Sequence, residues 1–279
     1  MTMRTFKTLL ATLLLLTFSS SCDEDSINKI LGNGDTVSAL KEALSIGAAT
    51  ASNELGKEDG YLKDSLVKIA LPAEANTMFV IINKLQSSSA GKAVLSAAGI
   101  SANLENTMTT LINRAAEDAA PKAVNVFKNA ITNITISDGE GILFGADNAA
   151  TTYLHNSTYS GLQAAFNPSI TESLATVSFA GYNANEAWDA VTSQYNKLMD
   201  LKSSTAGSVA MTALKIADKE THTQISNMNS IETNLANYVT GKALDGLFAK
   251  VAVKELDIRT NVAARTTDLL QNVFGRLDK

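Results

Sequence analysis

The sequence predicts an all-α protein, a multi-helix bundle with at most one short extended segment near residues 61–71. Three features carry that prediction. Only three prolines, at 72, 121 and 168, interrupt 279 residues, so long helices are permitted. Apolar residues recur at spacings of three and four along most of the chain, which is the period of one helix face. Period-two alternation is confined to Val67, Ile69 and Leu71.

The first residues read as an address. Arg4 and Lys7 are the only charges ahead of Cys22, and LLATLLLLTF, residues 9–18, carries none. A positive start, a short apolar core and the small run Ser19, Ser20, Ser21 are the three parts of a secretory leader. The apolar core is too short to span a bilayer, which needs about 20 residues. FSSSCDED, residues 18–25, then supplies the one cysteine of the chain. Small residues closing on a cysteine resemble a bacterial lipobox, in which the thiol takes a diacylglyceryl group and cleavage leaves Cys22 as the new N-terminus. Ser20 and Ser21 suit the two positions before it, while Ser19 stands where leucine is more usual. No second cysteine competes for it as a disulfide partner. Three acyl chains, at about 0.8 kcal/mol per buried methylene, hold a protein on a membrane far more firmly than one.

Asp23, Glu24 and Asp25 follow at once, and anionic head groups would repel them into water. The run also resembles the acidic signal that some lipoproteins carry for export to the cell surface. The expected organisation is a lipoprotein signal peptide over 1–21, an acidic tether over 22–34, and one all-helical domain over 35–279 with an insertion at 203–229. The expected location is the cell envelope, as an outer-membrane lipoprotein with surface exposure; a periplasmic or secreted soluble protein is the alternative. Without residues 1–21 the chain keeps 21 basic and 28 acidic residues, a net charge of −7. Such a chain would have to overcome phosphate repulsion, so no nucleic-acid partner is expected.

Each helix has a local reason. Thr36 can cap a first helix whose Val37, Leu40, Leu44, Ala48, Ala51 and Leu55 share one face, and Gly56 suits its end. Residues 60–72 read as extended, closed by Pro72, and a second helix then carries Met78, Ile81, Ile82 and Leu85. A Ser/Gly loop follows. The clearest periodicity runs from Leu104 to Ile134, with a break expected at Pro121. Ser137 and Asp147 read as caps for a short turn and for a helix through Tyr153, Leu154, Leu162 and Phe166 that stops before Pro168, with a further short helix from Ser169. Residues 184–199 are amphipathic, and 203–229 form a polar stretch with a weak helix. Leu235 to Ala252 and Asn261 to Leu277 complete the set.

Six stretches taken together, LKEAL (40–44), LGKEDGYLKDSLVKIALP (55–72), NRAAEDAAPKA (113–123), GILFGADNAATTYL (141–154), YVTGKALDGLF (238–248) and AARTTDLLQNVFG (263–275), resemble the bacterial lipoprotein-like family known as domain of unknown function 4197. The resemblance implies a secreted or membrane-anchored, mainly helical protein, and brings no activity and no catalytic residues. Two places depart from it: Val262 stands where proline is expected before AART, and residues 203–229 look longer than the family's connection.

Chemistry is scarce. His155 and His222 lie far apart in sequence, with no cysteine to join them, so neither a zinc set nor a Ser/His/Asp or Cys/His triad is formed. There is no G-x-S-x-G. Gly139, Gly141 and Gly145 in SDGEGILFGAD lack the Lys-Ser/Thr of a phosphate loop and sit among Asp138, Glu140 and Asp147, which repel phosphate. Those acids do not have EF-hand spacing. Arg114, Lys122, Arg259 and Arg265 flank apolar faces, and gathering them at one mouth of the bundle would make a site for an acidic ligand. No catalytic, metal or cofactor residues are assigned, and Cys22 alone is assigned a role, lipidation. The expected function is a non-enzymatic envelope lipoprotein, anchored to the membrane, whose helical body binds a protein partner or a small apolar ligand. The alternative is a hydrolase of envelope polymers working through Asp138, Glu140 or Asp147.

Overall fold

A computed structural model describes the backbone of residues 24–100, 104–231 and 233–278, and side chains from residue 34 onward, Ala206 excepted. Residues 1–21 and Cys22 lie outside it. As the spacing predicts, the described chain is all-α, with only a two-stranded hairpin besides.

Helix α1 spans Glu24–Leu55, so it begins well before Thr36 and takes in the stretch predicted as a tether. The glycines at 32 and 34 weaken a helix by about 1 kcal/mol each and do not break it. Thr36 is therefore no cap. It is fully buried, and its hydroxyl donates to Glu140 Oε1 at 2.8 Å. Residues 60–72 form turns and an extended run rather than a strand, because the Ile69 N–H and C=O are both taken by the Asn113 side-chain amide, each at 2.8 Å. Helix α2 (Ala73–Gln86) follows Pro72 as predicted. The predicted Ser/Gly loop instead holds α3 (Ser89–Ala98), capped by Ser88 and ended by Gly99 at φ 63°.

Helices α4 (Leu104–Ala119) and α5 (Ala123–Asn133) meet through a 3-10 turn at Pro121, where the sequence predicts a break. Asp138, not Ser137, caps α6 (Gly139–Leu143), accepting from Gly141 N at 2.8 Å. Helix α7 (Ala149–Thr176) runs through Pro168 instead of stopping before it, so no separate helix starts at Ser169. Proline deprives the carbonyl four residues back of its donor, and here that residue, Ala164, is exposed like Pro168 itself, so water can satisfy the group.

Strands β1 (Ser178–Phe179) and β2 (Tyr182–Asn183) pair antiparallel across Ala180 and Gly181, both left-handed at φ 54° and 84°. Helix α8 (Ala184–Asp200) starts with a capping box of Asn183 and Glu186. The 203–229 stretch contains two helices, α9 (Thr205–Ala217) and α10 (Lys219–Ser226), where one weak helix is predicted. Helix α11 spans Leu235–Thr260. The last predicted helix is a 3-10 turn at Val262–Ala264, then α12 (Asp268–Phe274) capped by Thr267. Val262 opens that turn under an Asn261 cap, a position that proline would also suit.

Helices α1 and α11 form the central pair, burying Leu40, Leu44 and Ala48 with Leu244, Leu247 and Val251. Helices α5, α6, α7 and α12 pack around them, and α4 links this group to α8, with α2, α3, α9 and α10 beyond. The 60–67 turns press on α11 at Gly246, where an added Cβ would lie 2.8 Å from Tyr61 Cε1 and 3.2 Å from Val67 Cβ. Both neighbours are buried, so Gly246→Ala should lower unfolding free energy by about 1–3 kcal/mol in urea denaturation. An unchanged midpoint would mean that the turns sit away from the helix.

Candidate functional site

Three charged groups buried in the core, Glu255, Arg259 and Arg265, hold helix ends. Glu255 on α11 is 1% exposed and accepts from Ala150 N at 3.0 Å, Thr151 N at 2.7 Å and Thr151 Oγ1 at 2.6 Å. It thereby caps α7, whose own N-cap residue, Asn148, contributes no side-chain bond; the Asp147 predicted for that role lies exposed in the preceding turn. Arg259, one turn along α11, pairs with Glu255 at 2.8 Å and donates to Leu143 O at 2.6 Å and Ile142 O at 3.1 Å. One ion pair thus closes the end of α6 and the start of α7. Arg265 closes α11 in the same manner, donating to the Ile258 and Arg259 carbonyls at 2.9 Å each and to Asp278.

Arg114, Lys122, Arg259 and Arg265, which would make a site for an acidic ligand if gathered at one mouth, each have partners of their own in different places. Arg114 binds Glu117 at 2.6 Å and Asp59 at 2.7 Å, while Glu117 accepts from Tyr61 N and Leu62 N at 3.0 Å each. Lys122 pairs with Glu172 at 2.8 Å on α7. Arg259 and Arg265 are buried among their own carbonyls and acids. Each of the four has an acidic partner within the chain, and only the Lys122 pair lies at the exposed surface.

Of the three loop acids, Glu140 and Asp138 are occupied and Asp147 lies exposed in the turn before α7. Glu140 takes both Arg276 guanidinium nitrogens, at 2.8 and 2.6 Å, together with Thr36. The Arg276 hydrogen bonds hold its carboxyl below the ordinary value of 4.5, the wrong direction for a proton donor at neutral pH. Asp138 is the α6 cap. His155 lies half-buried against Tyr159 and Phe248, with ring centroids 4.5 and 4.9 Å away, and His222 is on α10. Among the described residues no group of three or more His, Cys, Asp or Glu stands ready to hold a metal, and no helix is long and apolar enough to cross a membrane.

A groove of about 550 Å³ lies between α5 and α7. Val126, Ala130 and Ile134 form one wall, and Gly161, Leu162 and Ala165 the other. Asn129, Asn133, Thr135, Ser157 and Thr158 add neutral polar groups, and none of the lining residues is ionisable. The Gly161 position is open, with nothing within 4 Å of where a Cβ would stand. Glu255 caps the start of α7, the helix that forms one wall, ahead of the lining residues. Sequence reasoning missed the groove. Its trace is Ser157, Gly161 and Ala165 at four-residue spacing on α7, small residues on one helix side.

These helices define an all-α protein with buried polar clusters and an uncharged groove between α5 and α7. The chain belongs to the family described as Protein of unknown function (DUF4197), whose model matches residues 30–275. No curated protein and no solved structure matches it. The stretches that carry the resemblance meet in space: LGKEDGYLKDSLVKIALP is bound by NRAAEDAAPKA through Asn113, Arg114 and Glu117.

Breaking a buried pair leaves a charge unpaired, so Glu255→Ala should cost about 3–5 kcal/mol in thermal or urea unfolding. The apolar double replacement Glu255→Leu with Arg259→Met should not restore stability, since the Ala150 and Thr151 N–H groups would stay unsatisfied; full recovery would show that the cap contributes little. Glu140, with its depressed pKa, contributes stability that is complete above its ordinary value and is lost as pH falls below it. Denaturation midpoints between about pH 3 and 6 should therefore fall less steeply for Glu140→Gln than for the parent chain.

Proposed function

We propose that the protein is a non-enzymatic lipoprotein of the bacterial cell envelope, anchored through Cys22, whose helical body holds an uncharged, partly apolar ligand in the α5/α7 groove. The observation that carries the binding role is the groove lining: the chain has 51 ionisable Lys, Arg, Asp and Glu residues, a charged fraction of 18%, and none of them lines this cleft. A groove free of charge does not repay desolvation of an ionic ligand, whereas Ile134, Leu162 and Ala165 offer apolar surface and Asn129 and Asn133 offer orienting amides. Its volume falls within the range of small-molecule sites, about 300–1,000 Å³.

The leader, the lipobox-like SSSC and the acids after it support the envelope location and the outer-membrane, surface-exposed placement. Hydrolysis of envelope polymers has less support: Glu140 is held in an ion pair, Asp138 caps a helix, and the exposed Asp147 lines none of the grooves described among these residues.

Two measurements test this reading. Native mass spectrometry of protein extracted from membranes should find a neutral co-purifying molecule that is lost in Gly161→Leu, a change that fills the groove and favours the helix, leaving thermal stability equal or slightly raised. Ligand retained in Gly161→Leu would remove the groove from the account. Intact mass should show a lipidated N-terminus at Cys22, absent in Cys22→Ser; an unmodified mass for the wild type would remove the anchor.

A further inference from the structure

Helix α9 is apolar on two sides. Met211 and Leu214 are buried on the side that faces its neighbours α3 and α10. Val209 and Ile216, 72% and 86% exposed, are the most exposed large apolar side chains among the described residues. They stand two helical turns apart and so share the opposite side, with exposed Thr212 and Ala213 between them. A surface helix ordinarily carries charge on that side. Here α3 and α9 carry Lys92 and Lys215, both exposed, and no acidic residue, although the chain as a whole is acidic.

From this combination we infer that the outer side of α9 seats in the surface of a bilayer that bears anionic lipid. The apolar residues enter the boundary between head groups and acyl chains, about 5–10 Å deep, while Lys215 and Lys92 extend to the lipid phosphates. Charge complementarity selects this occupant: in an overall acidic protein α9 and α3 carry Lys215 and Lys92 and no acid, and the acids that follow α9, Asp218 and Glu220, are both paired with Lys84. Size argues against a second copy of the chain. A helix of 13 residues is about 20 Å long, and a strip one helix wide falls well short of the roughly 800 Å² per partner that a stable pair buries. A bilayer sets no such minimum. The contact is separate from the groove and does not depend on a lipid at Cys22.

The test uses the full chain with Cys22→Ser, so that Ala213→Cys supplies the one thiol for an environment-sensitive fluorophore. On vesicles containing phosphatidylglycerol the emission should shift to the blue and be quenched by brominated acyl chains. The effect should be several-fold weaker on pure phosphatidylcholine. A label at Val253→Cys on α11, itself an exposed site, should report water in both cases. Val209→Ser with Ile216→Ser should weaken the membrane signal at position 213 by about tenfold or more, with helix content by circular dichroism unchanged. A label at 213 that reports water on anionic vesicles overturns the inference. So does a blue shift without lipid quenching that accompanies dimers in sedimentation, because the strip would then be covered by another copy. The Cys22→Ser background keeps either failure distinct from failure of the anchor.

Discussion

The Glu255–Arg259 ion pair sets where α6, α7 and α11 meet. Desolvating two charges costs several kcal/mol per ion, and mutual attraction alone offsets that poorly. The cost is met here by further hydrogen bonds: the carboxylate caps α7 through Ala150 and Thr151, and the guanidinium takes the Ile142 and Leu143 carbonyls. These are backbone groups that helix termini leave without partners. A pair placed one turn apart on the central helix therefore performs two capping tasks that neighbouring residues in sequence do not.

The second buried cluster follows the same rule on α4. Asn113 takes both backbone groups of Ile69, Glu117 takes the Tyr61 and Leu62 amides, and Tyr61 donates to Ala243 O at 2.8 Å across on α11. A segment with no ladder or helix of its own is held by side chains that imitate one. Arg114 ties this to Asp59, a non-glycine residue held at φ 68°, so the turn keeps a backbone shape that costs energy when left alone. Both clusters fix chain that has no partner of its own; the second lies within the stretches that mark the family, whereas Glu255 and Arg259 of the first fall between two of them and reach into 141–154.

Much of the fold was legible because helix faces announce themselves locally. The 3.6-residue period located α1, α4, α5, α8 and α11, and Pro121 marked its break. What was not legible depends on partners far away in sequence. No local pattern shows that α7 is capped by a residue 105 positions on, nor that Pro168 can sit within a helix because the carbonyl it orphans faces water. Arg259 and Arg265 illustrate the same limit: as sequence they are cations beside apolar faces, and only packing shows their donors turned inward. The groove escaped notice since its defining property is missing charge and missing bulk at Gly161, and periodicity arguments weigh what is present. The assignment of Cys22, by contrast, rests on sequence alone.

Under the proposed function the placement of α7 matters, because α7 supplies one wall of the groove and Glu255 caps its start. The account stands on the carboxylate of Glu255 being bonded to the first amides of that helix. Residue-resolved hydrogen exchange reads this directly. Amides in the first turn of a helix ordinarily exchange fast; those of Ala150 and Thr151 should instead be protected to the level of core amides such as Leu154. Exchange at Ala150 and Thr151 at the rate of a frayed helix start would contradict it.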